Sequence, residues 1–569
     1  METRLTYHDP DQDQMIRLAT ELNCSNIFAG LLINRGITTA AKANVFLNPG
    51  LDQLKDPFSL KDMDQAVQRI WAAVRNQEKI LIFGDFDADG VTATCLLNDF
   101  FTHLNADITW YIPHRTKEGY SLQPTHIQLA LEMDVDLIIT VDCGSSSHEA
   151  VALANNEDID VIITDHHEVN APYPESIAMV NPKRPDCPSG LNYLAGVGVA
   201  FYLAIALRKY LREQRLFEEL PEPNLLNFSD LVALGTIGDM VPLVNENRVL
   251  CKAGLNIIRN GSRPGIKALS SVSRINYQNI DSDDISFKIV PRINAAGRMS
   301  HARICVNHLS SVLPANAQET ALVLDQLNLK RQQVEKNIVE AIEHRIAKSP
   351  ELLDKSTLVL WDDAWEASVL GIAASKLVRK YAKPVILIST ASEPAMGSGR
   401  SLEGLNILDA LTSCTDHLTR FGGHSMAAGL SLDADKLEAF TADFETRVQE
   451  LTREADLTRT LAIDRVLDME DITMSLAVEV DQLRPFGVGN PEPLFISRNI
   501  RVLSSTIIGT NHRKMVLQDT ASPAGRKVDA FHFNLSDPDN QPQLYDQVAY
   551  RIKINKFTMK SPQIILEDL

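Results

Sequence analysis

Apolar runs and amphipathic stretches alternate along the first half of the chain. The runs Ile80–Phe83, Leu137–Val141 and Val161–Thr164 have the length of buried strands, and each is followed by polar residues. Apolar residues recur at helical spacing in other stretches, such as Met63–Val74 and Tyr193–Leu211. Strands that alternate with helices are typical of parallel sheets. The pattern therefore predicts an α/β domain built on a parallel sheet.

The second half of the chain changes pattern twice. One face of Ala317–Ala347 is apolar, which predicts a long connecting helix. Beyond it, the strand-like runs Thr357–Leu360 and Pro384–Ile388 flank the helical stretch Val369–Tyr381, which predicts a second α/β domain. After Ala462 the chain has short strand-like runs without long helices, typical of a small barrel of the OB type. These runs are Ile500–Leu503, Lys514–Leu517, Ala530–Phe533, Val548–Ile554 and Gln563–Leu566.

The length of 569 residues predicts several domains, at about 150 residues per domain. Near the N-terminus, Ile33–Phe46 has a helical pattern and is followed by the helix-breaking residues Pro49 and Gly50. We expect five segments along the chain. They are a helical cap at 1–60, a catalytic α/β domain at 61–310, a connecting helix at 311–350, a second α/β domain at 351–455 and an OB-like domain at 456–569.

Composition narrows the class of protein. Hydrophobic residues make up 44% and charged residues 23% of the chain, as in ordinary globular proteins. No signal peptide and no uninterrupted apolar run long enough to span a membrane is evident, so we expect a cytoplasmic protein without a membrane partner. The seven cysteines are scattered and never in C-x-x-C spacing, which disfavours a disulfide framework and a zinc site.

The net charge of −19 argues against non-specific binding of polyanions by the whole surface. The C-terminal part differs, since 498–569 contains ten Lys or Arg residues against seven Asp or Glu residues. This local excess of positive charge is compatible with a confined nucleic-acid groove.

Acidic and imidazole side chains follow the predicted strands of the first domain. Ligands of open α/β sheets bind at the carboxyl ends of the strands. On an extended strand, Asp87 and Asp89 would point to the same side. A lone acidic turn or a lone histidine is often only a solvated or structural feature. The combination favours a site, and its members are Asp85, Asp87, Asp89, Asp142, Asp165, His166, His167 and Asp239.

Four carboxylates and one imidazole suit a hard divalent cation. Asp87, Asp89, Asp142, His166 and Asp239 form a donor set that fits Mn²⁺ or Mg²⁺ better than zinc, copper or iron. A pair of such ions can activate a water and stabilise both oxygens of a phosphoryl displacement. The set therefore predicts a phosphodiesterase with up to two ions.

The ordered motifs D-F-D-A-D-G, V-D-C-G, D-H-H and G-T-I-G-D-M-V-P-L resemble those of the DHH phosphoesterases. Further motifs resemble the bacterial RecJ exonucleases within that family: P-H-R-x-x-E-G-Y at 113–120, L-A-G-V-G-V-A-F at 194–201, P-R-I-N-A-A-G-R at 291–298, G-S-G-R-S at 397–401 and F-G-G-H-S-M-A-A-G at 421–429. The resemblance runs from about residue 60 to the C-terminus. It implies a DHH parallel-sheet domain and a DHHA1 α/β domain joined by a long helix, plus a C-terminal OB fold.

The activity that the resemblance implies is a 5′ to 3′ exonuclease on single-stranded DNA. Such an enzyme uses Mg²⁺ or Mn²⁺, releases mononucleotides and serves DNA repair and recombination. Residue roles follow from the same motifs. Asp87 and Asp142 would hold a first metal, and Asp89, Asp142, His166 and Asp239 a second. His167 would face the scissile phosphate, and Asp85 would be an outer-sphere acid.

Two departures from the family pattern affect these expectations. Phe83 stands where many relatives have a histidine, so the first metal is expected to bind weakly. Glu366 and Ser368 stand where a histidine and a glycine are common in the DHHA1 region. A tight turn is the simpler interpretation of G-S-G-R-S, but the G-G-H motif at 422–424 favours a pocket. The family resemblance implies that the 5′-terminal phosphate is bound around Arg115, Arg298, Ser398 and Arg400, with His424 nearby, where guanidinium groups bind phosphate bidentately.

The C-terminal barrel is expected to bind the strand through basic residues and aromatic rings. The basic candidates are Arg513, Lys514, Arg551, Lys553 and Lys556, and the ring candidates are Phe531, Phe533, Tyr550 and Phe557. About half of such alternating rings belong to a barrel core. We therefore rank the basic residues above the rings.

Two other functions fit part of the pattern. One is a DHH phosphodiesterase of short RNA or cyclic dinucleotides, although those relatives normally end after DHHA1. The other is a catalytically weak replication-fork scaffold, which the five retained ligand candidates disfavour. The resemblance also implies the single-strand-binding protein SSB as a partner, and a DNA helicase is a further candidate.

Overall fold

The computed structural model describes residues 4–453, 460–522, 524–535, 537–555 and 561–568. These residues form two compact units. The barrel unit comprises Thr3–Tyr111, Ser121–Val290 and Thr460–Leu569, and the long-helix unit contains Ile112–Tyr120 and Pro291–Arg459. The parallel sheet and the C-terminal barrel therefore belong to the same unit.

A five-stranded parallel sheet forms the centre of the first domain. Its strands lie in the order Ile108–Tyr111, Ile80–Gly84, Leu137–Val141, Asp160–Thr164 and Ala178–Val180. The two central strands are buried along their whole length, because helices cover both faces. The predicted α/β fold is confirmed.

The helices of this domain lie close to their predicted positions. The helix predicted from Tyr193 begins at Gly196, since Ala195 is still extended at φ −76° and ψ 166°. The helices are Met63–Asn76, Ala88–His103, Pro124–Glu132, His148–Asn156, Gly196–Glu213, Ser229–Gly238, Asn245–Asn260 and Pro264–Val272. A short π-helix, Ile285–Ile289, follows.

Two separate helices replace the single helix predicted over Ile33–Phe46, which is wrong. Asn26–Asn34 ends before Gly36, whose φ of +74° suits a glycine, and Ala40–Leu47 begins after Thr39. The Thr39 side chain caps the second helix by accepting a hydrogen bond from the Lys42 backbone N–H. Together with Gln12–Leu22, these helices share one hydrophobic core with the C-terminal barrel.

The C-terminal domain is a closed five-stranded barrel, as predicted. The first strand pairs on one side with the second and on the other with the fourth, which closes the sheet. Several strands are longer than predicted, because their pairing continues beyond the apolar runs identified in the sequence. The strands are Phe495–Ile508, His512–Asp519, Val528–His532, Leu544–Ile554 and Pro562–Glu567.

An ion-pair cluster joins the barrel to the helical segment before the π-helix. Lys553 Nζ lies 2.7 Å from Glu492 Oε2 and 3.2 Å from Asp283 Oδ2. Arg484 Nη1 lies 3.3 Å from Asp281 Oδ2. These partly buried ion pairs fix the position of the barrel relative to the helical segment.

The long-helix unit is built around the helix Pro314–Lys348, which includes the predicted Ala317–Ala347. Its sheet has the strand order Arg420–His424, Ala427–Leu432, Ala395–Arg400, Val385–Ser389 and Leu358–Asp362. The motif G-S-G-R-S lies largely in a strand and does not form the tight turn considered above. Further helices are Val290–Met299, Arg303–Leu309, Leu370–Tyr381, Ile407–Thr412 and Leu437–Thr452.

The cysteines and the helices agree with two expectations from composition. All seven cysteines are free thiols, and five of them are buried. Within the described ranges, no helix combines the length and the hydropathy that crossing a bilayer requires.

Candidate metal centre and phosphate site

Asp87 and Asp89 lie at the start of a helix, which corrects the extended strand assumed for them. The strand ends at Gly84, and Asp87 is the N-cap of Ala88–His103. Asp87 Oδ1 accepts hydrogen bonds from the backbone N–H groups of Asp89 (2.9 Å) and Gly90 (3.2 Å). A Cβ at Gly90 would lie 2.6 Å from the backbone of Asp85, so only glycine fits there.

The carboxylate of Asp89 is buried and held by a second helix N-terminus. Gly196 N–H donates to Oδ2 at 2.6 Å and Val197 N–H to Oδ1 at 2.8 Å. Burial and the charge of Asp87 raise the pKa of Asp89, although the two hydrogen bonds act in the opposite direction. The sequence analysis did not predict that the motif L-A-G-V-G-V-A-F binds Asp89 through backbone N–H groups. The glycines at the start of a predicted helix were the feature that could have indicated it.

Asp142 adopts a left-handed backbone conformation directly after the strand Leu137–Val141. Its φ is +62°, which costs about 1–2 kcal/mol for a residue with a Cβ but is best tolerated by Asp and Asn. Burial and the charges of Asp89, Asp87 and Asp239 raise its pKa. A Cβ at Gly196 would lie 2.6 Å from Asp142 Oδ1, so that helix also approaches this carboxylate closely.

His166 lies among three of the carboxylates. Its Nε2 is 3.1 Å from Asp142 Oδ1, 3.6 Å from Asp239 Oδ2 and 3.8 Å from Asp89 Oδ2. Burial, followed by the charge of His167, lowers the pKa of His166 to about 3. The imidazole is therefore neutral at pH 7 and can offer a nitrogen lone pair to a cation.

Asp239 directly follows the helix Ser229–Gly238, on a loop that the side chain of Asn247 holds in place. Burial and the charges of Asp89 and Asp87 raise its pKa. Asn247 Nδ2 donates to the carbonyls of Pro242 (3.0 Å) and Tyr193 (2.6 Å). One buried side chain thus connects the Asp239 loop with the loop that leads into Gly196.

His167 is oriented by Asp165, a residue to which sequence reasoning gave no specific role. Its Nδ1 lies 2.7 Å from Asp165 Oδ1. Burial acts to lower the pKa of His167, but the charge and hydrogen bond of Asp165 outweigh it and raise the pKa to about 9. Nδ1 therefore carries a proton and the ring is cationic at pH 7.

The donor set fits hard divalent cations. Ligand atoms lie within 4.8 Å of one another in three groups, which are Asp85, Asp87 and Asp142; Asp89, His166 and Asp239; and Asp142, His166 and His167. Asp142 Oδ1 and His166 Nε2 are buried and make no hydrogen bond within the described ranges. Orphaned acceptors among mutually repelling carboxylates call for positive charge. The three groups contain seven of the eight residues named above for this site, and the eighth, Asp165, contacts His167.

Phe83 lies in the hydrophobic core of the sheet. Its ring centroid is 4.8 Å from that of His126 and 6.0 Å from that of Tyr111. Asp85, expected to be outer-sphere, lies in the same group as Asp87 and Asp142 and offers that group a third carboxylate. The weak binding of a first metal stays a prediction.

In the long-helix unit, Arg400 and Ser398 lie next to one another. Arg400 Nη1 donates to Ser398 Oγ at 3.1 Å and to the Gly399 carbonyl at 2.7 Å. Burial and, to a smaller extent, the positive charge of Arg115 lower the pKa of Arg400. The partners of Arg400 in these two hydrogen bonds are neutral groups. A largely buried guanidinium group that has neutral hydrogen-bond partners and is affected by a second positive charge is suited to an anion.

The sheet face beside these residues is bare. Ser398 pairs across the strands with Gly429, which pairs with Gly422, and a Cβ at either glycine would meet nothing within 4 Å. Arg400 pairs with Ala427, and Ala427 with His424, which places His424 in the same cross-strand row as Arg400. Residues in one such row share a face of the sheet.

Arg298 reaches the same region through the start of a helix. Its Nη1 donates to the carbonyl of Ser368 at 2.6 Å, and Ser368 Oγ donates to the carbonyl of Arg298 at 3.1 Å. Three residues later, a Cβ at Gly371 would lie 2.6 Å from Arg400 Nη2 and 2.9 Å from Ser398 Oγ. Ser368, noted above as a departure from the family pattern, therefore positions Arg298.

The barrel presents one aromatic pair beside basic residues. The rings of Phe531 and Phe533 are stacked at 6.1 Å with an interplanar angle of 9°. Lys514 Nζ lies 5.8 Å from the Phe531 centroid, and the His512 ring is 5.3 Å from that of Phe533. Arg513, the strand neighbour of Lys514, is paired with the buried residue His532 and therefore belongs to the other face of the sheet. Phe533 is 45% exposed, so a stacking surface is accessible there.

Other barrel candidates are used within the protein. Tyr550 is fully buried and its hydroxyl lies 2.7 Å from Ser497 Oγ, which makes it a core residue. Arg551 Nε lies 2.7 Å from Glu567 Oε1, and Lys553 belongs to the ion-pair cluster described above. Lys556 and Phe557 lie outside the described residues.

Each of the three domains matches a known protein family. Residues 79–236 match the DHH family, N-terminal domain, residues 354–450 the DHHA1 domain and residues 463–568 the RecJ OB domain. The chain is 37% identical over 571 residues to the Bacillus subtilis "Single-stranded-DNA-specific exonuclease RecJ", with 98% of this chain and 70% of that protein covered. The chain belongs to the RecJ family.

Solved RecJ structures share the fold. The structure of RecJ in complex with Mn²⁺ from Thermus thermophilus has a TM-score of 0.84 at 28% identity and covers 100% of this chain and 79% of that chain. The structure of RecJ in complex with Mg²⁺ from the same organism has a TM-score of 0.76 at 27% identity, with 100% and 78% covered. The predicted combination of DHH, DHHA1 and OB domains is confirmed, whereas the exact boundaries given above stay predictions.

Proposed function

We propose that this protein is a metal-dependent exonuclease that degrades single-stranded DNA from the 5′ end to mononucleotides, in DNA repair and recombination. Membership of the RecJ family supports the substrate class. The observation that carries the chemistry is the cluster of buried carboxylates around His166, whose orphaned donor atoms require cations.

The residues would divide between two Mn²⁺ or Mg²⁺ ions as the resemblance implies. Asp87 and Asp142 would hold the first ion, and Asp89, Asp142, His166 and Asp239 the second. Asp85 is close enough to Asp87 and Asp142 to orient the first set. When bound, such a pair lowers the pKa of a water and stabilises the attacking and leaving oxygens of the displacement.

His167 would contribute charge to the scissile phosphate. Asp165 holds its Nδ1–H and keeps the ring protonated, so the opposite edge of the ring can donate to a phosphate oxygen. Extra negative charge on the phosphoryl oxygens in the transition state would strengthen that hydrogen bond.

Direction would follow from recognition of the strand end. Arg115, Arg298, Ser398 and Arg400 would bind the 5′-terminal phosphate, with His424 in the same cross-strand row as Arg400. A terminal phosphate monoester carries more negative charge than an internal diester, so clustered guanidinium groups select it. Binding of the end before cleavage makes the enzyme an exonuclease.

The barrel would hold the strand further along. Phe531 and Phe533 offer a stacking surface, and Lys514 offers charge for the backbone, whereas a DNA contact of Arg513 stays a prediction. Arg551 and Lys553 form ion pairs within the protein, so they are less available to bind DNA than the sequence suggests. Their DNA contacts stay predictions.

The two alternatives receive less support. The match to the RecJ OB domain disfavours a phosphodiesterase that acts only on short RNA or cyclic dinucleotides. Retention of the complete carboxylate cluster disfavours a catalytically weak scaffold. We further propose a cytoplasmic location, and SSB and a DNA helicase as partners that present or unwind the strand, in keeping with the role in repair.

The deciding experiment uses strands labelled at either end. With Mn²⁺ present, a 5′-label should be released first and as a mononucleotide, and chelation of the metal should abolish release. Asp142→Ala should reduce the rate by at least about 100-fold, since even outer-shell changes at metal sites cost 10–100-fold. First release of a 3′-label, or activity that survives this substitution, would contradict the proposal.

The end pocket has its own test. Arg400→Gln should abolish the preference for a 5′-phosphorylated strand over a 5′-hydroxyl strand. Arg420→Gln is the control, because Arg420 is an exposed arginine of the same sheet. An unchanged preference in Arg400→Gln would assign the 5′-phosphate to other residues.

A further inference from the structure

A cavity of about 310 Å³ opens beside the metal-site histidines. Its lining includes Glu168, which directly follows His167, and Lys183, Arg184 and Asn192 from the loop after the strand Ala178–Val180. The roles proposed above do not use this cavity. Its polar and charged walls suit a polar ligand.

One buried side chain fixes this cavity to the metal centre. Asn181 is fully buried, and its Nδ2 donates to the carbonyl of His167 and to Ser145 Oγ, both at 2.9 Å. Its Oδ1 accepts from the backbone N–H of Lys183 at 2.8 Å. The backbone of Lys183 is therefore held at a fixed position relative to His167.

Lys183 is the cation of the cavity that is available to a ligand. Its partner is Glu168, whose Oε1 lies 3.4 Å from Nζ and whose side chain is 65% exposed. Exposed pairs of this kind contribute about 0–1 kcal/mol and are readily exchanged. Arg184 is occupied instead, since it is buried and paired with both Asp62 and Asp186.

The positive charge of Lys183 also extends to the metal centre. It contributes to lowering the pKa of Asp239 and of His166, each after larger contributions from burial and other groups. Asn181 holds the Lys183 backbone beside His167, so the ammonium group acts on the metal centre from a fixed segment of the same loop. A phosphate bound by Lys183 would thus be a near neighbour of the scissile phosphate along one strand.

We propose that this cavity is a subsite for the backbone phosphate on the 3′ side of the scissile bond, bound by Lys183 with displacement of Glu168. The proposal rests on the exonuclease function proposed above. The 5′-terminal phosphate already has its own guanidinium cluster, so the phosphate on the 3′ side is the remaining neighbour. Lysine binds phosphate as a point charge, which suits a diester with two available oxygens.

The sharpest test compares two substrates. A 5′-phosphorylated dinucleotide has no phosphate on the 3′ side of its scissile bond, whereas the trinucleotide has one. Lys183→Gln should raise KM for the trinucleotide by about tenfold, the effect of one charged hydrogen bond, and leave KM for the dinucleotide unchanged. Equal effects on both substrates, or no effect on either, would overturn the subsite.

The control is Lys209→Gln. Lys209 is also paired with a single carboxylate, with Nζ 3.5 Å from Asp56 Oδ1, and the substitution changes the net charge equally. It should leave both KM values unchanged. Hydrolysis of the dinucleotide by the wild type and by both variants would show that the exonuclease function stands, whichever way the trinucleotide result falls.

Binding to a longer strand in metal-free buffer supplies a second readout. The dependence of log Kd on log salt concentration should weaken by about 0.7 in Lys183→Gln, as expected for one lost phosphate contact on a single strand. Glu168→Gln should bind the strand more tightly than the wild type, because the competing carboxylate is gone. Weaker binding by Glu168→Gln would overturn the displacement step.

Discussion

His167 Nδ1 and Asp165 Oδ1 lie 2.7 Å apart, within hydrogen-bond distance. The same oxygen accepts from the backbone N–H groups of His166 (2.7 Å) and His167 (3.2 Å), while Oδ2 accepts from Ser145 N–H at 3.0 Å. Asp165 therefore fixes the turn that presents both histidines. It acts on the site through them, as an orienting residue.

Asp165→Asn is expected to reduce the exonuclease rate by about 10- to 100-fold, as for other outer-shell partners of metal-site histidines. The amide lacks the charge that keeps His167 protonated, so the ring becomes neutral near pH 7. The measurement is kcat with a phosphorylated single strand at neutral pH. Asp186→Asn, which removes an exposed acid outside the cluster, should leave kcat unchanged. A rate for Asp165→Asn equal to the wild type would contradict this role.

Gly196→Ala should weaken Mn²⁺ binding and activity together. The new Cβ would lie 2.6 Å from Asp142 Oδ1, so either the carboxylate or the helix must shift. Gly198→Ala is the matched control on the same helix, since its Cβ would make only ordinary contact with Leu194 at 3.4 Å. Calorimetric titration with Mn²⁺ gives the comparison, and equal affinities of the two variants would contradict the expectation.

Metal-free protein should lose stability as pH rises. Burial and mutual repulsion raise the pKa values of Asp89, Asp142 and Asp239 above the ordinary value of about 4. Above that ordinary value the folded state binds more protons than the unfolded state, so the free energy of unfolding falls with pH.

Thermal unfolding checks this sign. The Tm of the metal-free protein should decrease between about pH 5.5 and pH 8.5, whereas saturating Mn²⁺ should reduce the decrease, because bound cations favour the ionised carboxylates. The variant Asp142→Asn should show a smaller decrease without metal. A metal-free Tm that increases over this range would show that the acids are not under mutual repulsion.

Lys553 and Lys514 should respond differently to removal of their charges. Lys553→Met breaks pairs with Glu492 and Asp283, so it should lower the free energy of unfolding by about 1–3 kcal/mol. It should leave the salt dependence of single-strand binding unchanged. Lys514→Met should have the opposite profile, with normal stability and a salt dependence weaker by about 0.7. A weaker salt dependence in Lys553→Met would restore that residue to the DNA-binding set.

Much of the fold could be predicted from apolar patterning, because the strands at the centre of the parallel sheet are short, continuous and buried. The strand Phe495–Ile508 was underestimated at both ends, because exposed residues such as Arg498 and Ser504 interrupt its apolar pattern while its backbone pairing continues. The helix over Ile33–Phe46 was overestimated because Gly36 and Thr39 interrupt an otherwise helical run.

The acidic residues of the candidate site could be predicted from the sequence, but the groups that hold them in place could not. Acids that follow strands could be identified from the sequence, and the structure brings all of them together. The partners that hold them could not be predicted, because Gly196, Val197 and Asn247 act through backbone groups or across long separations in the chain. Nor does the sequence show that Lys553 and Arg551 are paired with acids elsewhere.

The first described strand, Arg4–Tyr7, pairs with the strand Thr460–Ile463, which comes far later in the chain. Leu5 is opposite Leu461, and Thr6 Oγ1 donates to the Leu461 carbonyl, 455 positions away. On the ribosome, the N-terminal segment must therefore wait until Thr460–Ile463 has been synthesised before it can dock. Contacts of such long range slow folding and leave apolar surface exposed meanwhile. Truncation from the C-terminus would thus deprive the newly made N-terminus of its partner as well as removing the barrel.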